Sequence, residues 1–179
     1  MTDEIEIGEM YLIMLLAVED RPLPSRFHIQ KELFVLSQIN PKIQEIFNFK
    51  KHYKGPYSQF LDEIIDAPMY HPNSFITLNQ KILITSEGQK NFLEIKNKFS
   101  QDKKFIELIS TLKLIRELYD KLSINELLFL IYETYPEYTK FSDISDRLLK
   151  NKSIRKIILD SLSSKGVITD KRYLELKEK

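Results

Sequence analysis

Proline placement constrains this chain more than any other feature. A proline lacks a backbone N–H and fixes φ, so it stops or interrupts a helix. Pro22, Pro24, Pro41, Pro56, Pro68, Pro72 and Pro136 all fall between stretches of helical or alternating apolar spacing. The spacing predicts a first helix over residues 7–18, stopped by Arg21-Pro22-Leu23-Pro24. Ser25 is placed to cap a second helix running to about Gln38, with Phe27, Ile29, Leu33, Phe34, Leu36 and Ile39 as its apolar positions. Asn40-Pro41 breaks it, and residues 43–47 form one short further turn.

Residues 47–53 alternate aromatic and polar side chains, which reads as an extended segment. Gly55-Pro56 turns the chain, and Ser58 caps a helix over residues 59–66, closed by Pro68 and Pro72. Phe75-Ile76-Thr77-Leu78 and Lys81-Ile82-Leu83-Ile84 are two β-rich runs joined by Asn79-Gln80, a weaker turn pair than Asn-Gly. Thr85 or Ser86 then starts a helix to about Phe99. The order matches a winged-helix-like module over residues 1–100.

A helical region is expected over residues 101–179, with the boundary near Ser100-Gln101; packing of the two parts as one unit stays open. Residues 102–122 carry an apolar face wide enough to be buried between two layers. Ser123 with Glu126 has capping-box spacing ahead of a helix that ends at Pro136. Shorter helices follow over residues 141–149 and 153–164, with Gly166 as a stop and Val167-Ile168 and Tyr173-Leu174 packing the tail. The fold class is therefore mainly α with a small β-hairpin.

Composition narrows function chiefly by exclusion. There is no cysteine among the 179 residues, so disulfides, thiolate metal sites and a cysteine nucleophile are ruled out. No stretch approaches the roughly 18 uninterrupted apolar residues of a membrane span. Acidic residues flank residues 10–18, which argues against a signal peptide. A cytoplasmic location without a membrane is the expectation. Net charge is +1, yet it is uneven: residues 1–40 hold seven acids against three bases, and residues 140–179 hold eleven bases against six acids.

Phe27-His28-Ile29-Gln30-Lys31-Glu32-Leu33-Phe34 resembles a helix of the YwgA-like and SocA-like (Panacea antitoxin domain) prokaryotic proteins. Tyr53-Lys54-Gly55-Pro56-Tyr57-Ser58 is similar to their Gly-Pro turn, and Leu83-Ile84-Thr85-Ser86-Glu87-Gly88 to the end of their wing. Glu126-Leu127-Leu128 through Tyr135-Pro136-Glu137-Tyr138 resembles a segment of longer relatives. The resemblance spans roughly residues 10–142. It implies an antitoxin-like protein that binds a partner and has no catalytic residues. The chain departs from the pattern in having no tryptophan near the turn and in its additional C-terminal helices.

Four candidate sites follow. Lys50, Lys51, His52 and Lys54 lead into Gly55, Tyr57 and Ser58, where free N–H groups at a helix start would favour an anion. The same residues also suit a plain turn with a cap. Helix 59–66 with the wing around Asn79-Gln80-Lys81 is placed like a DNA reader. Its Asp62, Glu63 and Asp66 would be repelled by phosphate. The better nucleic-acid surface is Arg147, Lys150, Lys152, Arg155 and Lys156. Phe129, Tyr132, Tyr135, Tyr138 and Phe141 fill a core or line a partner groove.

Catalytic motifs are missing: no HExxH, phosphate loop or serine elbow occurs. Arg21 with His28 is similar in spacing to the Arg…His pair of HEPN ribonucleases, but Pro22 and Pro24 intervene. The expectation is a non-catalytic protein without cofactor or metal that binds a partner protein as an antitoxin or adaptor. The alternative is a nucleic-acid-binding winged-helix regulator, and self-association stays open.

Overall fold

The computed structural model describes residues 2–178, with side chains from residue 4 onward; the side chain of Asp3, and Lys179, both counted in the charge tallies above, lie outside it. The elements in order are α1 (Thr2–Ala17), α2 (Arg26–Ile39), α3 (Pro41–Phe47), β1 (Lys50–His52), β2 (Gly55–Tyr57) and α4 (Gln59–Asp66). Then come β3 (Phe75–Leu78), β4 (Lys81–Ile84), α5 (Ser86–Lys98) and α6 (Lys103–Tyr119). The chain ends with α7 (Ile124–Thr134), a 3-10 turn (Pro136–Thr139), α8 (Ser145–Lys150), α9 (Lys152–Ser164) and α10 (Asp170–Glu178). The described residues are mainly helical, as expected, with two antiparallel two-stranded hairpins rather than one: Gly55-Pro56, read as a turn, begins strand β2.

Two compact units result: Met1–Phe49 with Ser58–Asp120, and Lys50–Tyr57 with Lys121–Lys179. This differs from a division near residue 100. Helix α6 belongs to the first unit because the fully buried Arg116 donates to the α1 carbonyls of Leu15 (2.8 Å) and Leu16 (3.3 Å) and to that of Arg21 (2.8 Å). A guanidinium has five N–H donors, and burying them requires acceptors in a fixed geometry. The hairpin β1–β2 belongs to the second unit, where it packs against α7.

In the first unit the core comprises Leu12, Ile13, Leu15 and Leu16 of α1, Ile29, Leu33 and Phe34 of α2, and Leu61, Ile82 and Leu112. Ser25, Asn40, Ser58, Thr85 and Asp102 each accept an N–H from the first turn of the helix they start. The wing turn Asn79-Gln80 has φ of 50° and 68°, both left-handed. Two such residues give the turn whose twist suits adjoining strands, and asparagine tolerates the region best after glycine. The free edge of β4 is partly covered by Leu23. Its N–H and C=O both pair with Ile82 at 2.9 Å, so the Pro-Leu-Pro segment adds a one-residue bridge to the wing. The loop between Pro68 and Pro72 is held by the buried Glu9 carboxylate. It accepts the N–H groups of Met69 (2.5 Å), Tyr70 (3.0 Å) and His71 (2.6 Å).

Two motifs that are separate in sequence meet here. The buried amide of Gln30 accepts the Ser58 N–H and donates to the Ser58 carbonyl, both at 2.8 Å, and also donates to Asp62 at 3.0 Å. It thus substitutes for a strand partner at a residue with no ladder of its own. Gln30→Ala strands a buried donor and acceptor and is expected to cost about 2–3 kcal/mol. A urea titration followed by circular dichroism measures it, and Gln30→Glu should recover only the N–H bond to Ser58.

The second unit centres on Leu127, Leu128, Phe129, Ile131 and Tyr132 of α7, with Leu148, Ile158, Leu159 and Leu162. The capping box at Ser123 and Glu126 is formed in both directions. Several expectations are corrected. Helix α8 starts at Ser145 rather than 141, because Ser142 Oγ accepts the N–H groups of Ile144 (3.3 Å) and Ser145 (3.1 Å) and holds the preceding turn open. The tail after Gly166 forms α10, whose buried anchor is Leu176, while Leu174 is exposed. Helix α6 is not covered on two sides: Ile106 and Leu114 remain about half exposed (52% and 53%).

Candidate functional site

The hairpin Lys50–Tyr57 is the most distinctive exposed feature. Tyr53 and Lys54 form its two-residue turn, since His52 pairs with Gly55 and Lys50 with Tyr57. Gly55 has φ of +78°, and a Cβ there would lie 2.8 Å from Leu128 Cδ2 and 3.5 Å from the Tyr132 hydroxyl. Only glycine meets both requirements, so α7 dictates this residue. Pro56 is tolerated because β2 is an edge strand.

The half-buried His52 lies against two tyrosines. Its ring centre is 4.0 Å from that of Tyr53 and 4.8 Å from that of Tyr57, the second pair stacked at 28°. Tyr53 is 48% exposed, and the Lys54 ammonium sits 5.5 Å from its ring centre. Lys50 and Lys51 are exposed, and no carboxylate among the described residues forms an ion pair with Lys50, Lys51 or Lys54. Of the residues predicted for the site, the structure puts His52 against Tyr53 and Tyr57 and Lys54 beside the Tyr53 ring, whereas Lys50 and Lys51 are successive residues of β1 and project to opposite faces of the hairpin. It does not present Gly55 or Ser58, which are buried. Ser58 Oγ is occupied by the Leu61 N–H at 3.1 Å, so the start of α4 is already capped.

The basic C-terminal set divides differently. Arg147, Lys150, Lys152 and Lys156 are exposed. Lys150 pairs with Asp146 (2.8 Å), and Arg147 reaches Asn125 at 3.4 Å beside a groove of about 280 Å³ floored by Ile154, Ile157 and Ile158. Arg155 is not on that surface. It is buried, bonded to Glu133 and to the Leu176 carbonyl, and lies 5.2 Å from the Phe129 ring centre. Its side chain ties α10 to the unit, as a rigid multi-donor fork can.

Glu126 shows the same economy. Burial alone would raise its pKa, but hydrogen bonds from Lys165, Ser161 and Ser123 outweigh that and hold it at about 2. The aromatic series also splits. Phe129 and Tyr132 are core, with the Tyr132 hydroxyl 2.8 Å from Ser142 Oγ, whereas Phe141 is 57% exposed.

On α4, Asp66 pairs with Arg26, Glu63 accepts from Gln59 at 2.8 Å, and Asp62 accepts from Gln30. No base lies on this helix. The three histidines are dispersed: His28 Nδ1 is 2.8 Å from Ser25 Oγ, His52 is stacked, and His71 gives its backbone N–H to Glu9. Arg21 is engaged with Asp120 (2.8 Å) and Glu19 (3.3 Å) rather than with His28. Among the described residues no three His, Asp or Glu side chains are grouped to hold a metal ion.

Sequence reasoning missed a buried cluster in the first unit. Glu32 of α2 is fully buried beside Asp120, Arg116 and Arg21. Arg116 Nε reaches both Asp120 oxygens at 2.9 Å, and Arg21 Nη2 donates to the Arg116 carbonyl at 3.1 Å. The available signal was a charge on an apolar stripe, since Glu32 stands three residues after Ile29 and four before Leu36.

No family model and no curated protein matches this chain.

Proposed function

We propose that this is a non-catalytic binding protein, antitoxin-like or adaptor-like, that docks an acidic segment of a partner protein on the outer face of the β1–β2 hairpin. One observation carries the reading: three exposed lysines, with no carboxylate partner among the described residues, share one short hairpin with the half-exposed Tyr53, which has Lys54 beside its ring. Aromatic rings supply contact area at low entropic cost, and unpaired charges steer an opposite partner. No helix among the described residues is long and apolar enough to cross a membrane.

A second reading is nucleic-acid binding. The second unit holds fifteen lysines and arginines against nine acids, while the first holds twelve against seventeen. That places a net +6 on one unit and −5 on the other. The exposed Arg147, Lys150, Lys152 and Lys156 would serve it.

Changing Lys50, Lys51 and Lys54 together to glutamate should abolish recovery of a stoichiometric partner protein from the native host. The same change at Lys150, Lys152 and Lys156 should not. Recovery of one partner equally by both variants, or by neither protein nor variants, would sink the protein reading. Submicromolar binding to random duplex DNA that falls steeply with salt would instead establish the second.

A further inference from the structure

We infer that Glu32 is held as a neutral carboxylic acid that donates its proton to the Asp120 carboxylate, making the first unit a device that loosens as pH rises. The inference is independent of the docking surface. Glu32 is 0% exposed, and among the described residues no donor gives a hydrogen bond to either carboxyl oxygen. What it meets is another acid, Asp120, itself only 7% exposed. Two ionised carboxylates cannot bond to each other, but an acid and a carboxylate can share one proton.

The neighbouring cations are largely engaged elsewhere, and none of them donates to Glu32. Arg116 spends its donors on Asp120 and on the carbonyls of Leu15, Leu16 and Arg21. Arg21 spends its own on Asp120, the Arg116 carbonyl and Glu19. Glu117 adds a further negative charge near Arg21. From α3, which also packs on α2, Lys42 and Glu45 are exposed and turned to water. An ionised Glu32 would therefore be dry and unbonded. Burial pushes its pKa well above the usual glutamate range, the Asp120 charge and hydrogen bond push the same way, and the charges of Arg116 and Arg21 pull against them.

Above the ordinary glutamate range of about 4.3 the unfolded chain releases this proton and the folded chain keeps it. Stability is then lost with rising pH, by up to about tenfold in the unfolding equilibrium per pH unit, until the folded group also ionises. Glutamine has the shape of the protonated acid and an N–H that can replace its donor.

Two measurements on the full chain decide the matter. In urea titrations from pH 5 to 9, Glu32→Gln should remove most of the alkaline decline and surpass the wild type at pH 9. An unchanged pH profile would overturn the inference. Infrared spectra of the wild type at neutral pH should contain a protonated carboxylic acid band that shifts when glutamate is carbon-13 labelled. That experiment needs no variant to fold, and absence of the band would also overturn it.

Discussion

Arg116→Ala should destabilise the first unit by about 3–5 kcal/mol, a large fraction of the stability of an ordinary domain. Arg116 is fully buried, and its guanidinium closes five contacts at once: two to Asp120 and three to main-chain carbonyls of α1 and the following loop. Truncation leaves Asp120 buried without its main counter-charge and exposes three carbonyls to a dry cavity. The penalty comes mainly from these abandoned groups rather than from the lost attraction. Arg116→Lys should recover less than half, because one ammonium cannot span acceptors arranged for a planar fork. Chemical denaturation measures both. A loss below about 1 kcal/mol for alanine would mean that water replaces the guanidinium, contrary to the burial seen here.

Gly88→Ala is expected to be almost as damaging, at about 3 kcal/mol, through overpacking. A Cβ on Gly88 would fall 2.0 Å from the Ser74 carbonyl oxygen and 2.6 Å from Ile84 Cδ1. Ile84 could turn away, but the carbonyl is backbone. It also accepts the Thr85 N–H at 2.9 Å, which joins the start of the wing to its end. Relief would require α5 to withdraw from the hairpin. The midpoint of thermal unfolding reads the loss, with Gly166→Ala as a control for glycine entropy. Gly166 has open space around it but φ of +66°, so only modest backbone strain is expected there.

Local features were legible because their causes are local. Ser25, Ser58 and Ser123 could be named as caps, and Thr85 as one of two candidates with Ser86, since a hydroxyl before an apolar-periodic run has few other uses. The wing was legible from two β-rich runs joined by Asn79-Gln80, and the helix order from prolines. What escaped depends on partners far along the chain. Arg155 and Lys156 are adjacent and equally basic, yet one is buried against Glu133 and the other is exposed. Charge cannot reveal that; only the helical phase of α9 relative to Ile158, Leu159 and Leu162 hints at it. Likewise Gly55-Pro56 reads as a turn, but its fit under Leu128 joins positions more than seventy residues apart. Within the hairpin site, the three lysines and the aromatics were identifiable, whereas the burial of Gly55 and Ser58 was not.

The second unit is assembled from two separated stretches of chain, with Lys50–Tyr57 contributed from the middle of the first unit's sequence. Neither unit is a contiguous cassette. A gene fragment beginning at Lys121 would encode helices lacking the strands that cover α7, and no single cut in the polypeptide can release either unit whole. During synthesis the hairpin leaves the ribosome long before α7 exists to receive it. The first unit can complete its cap at Ser58 in that interval, while the lysine-bearing turn waits for its support. Such interleaving makes the pair an inheritable whole, resistant to the shuffling by which simpler modules are exchanged between proteins.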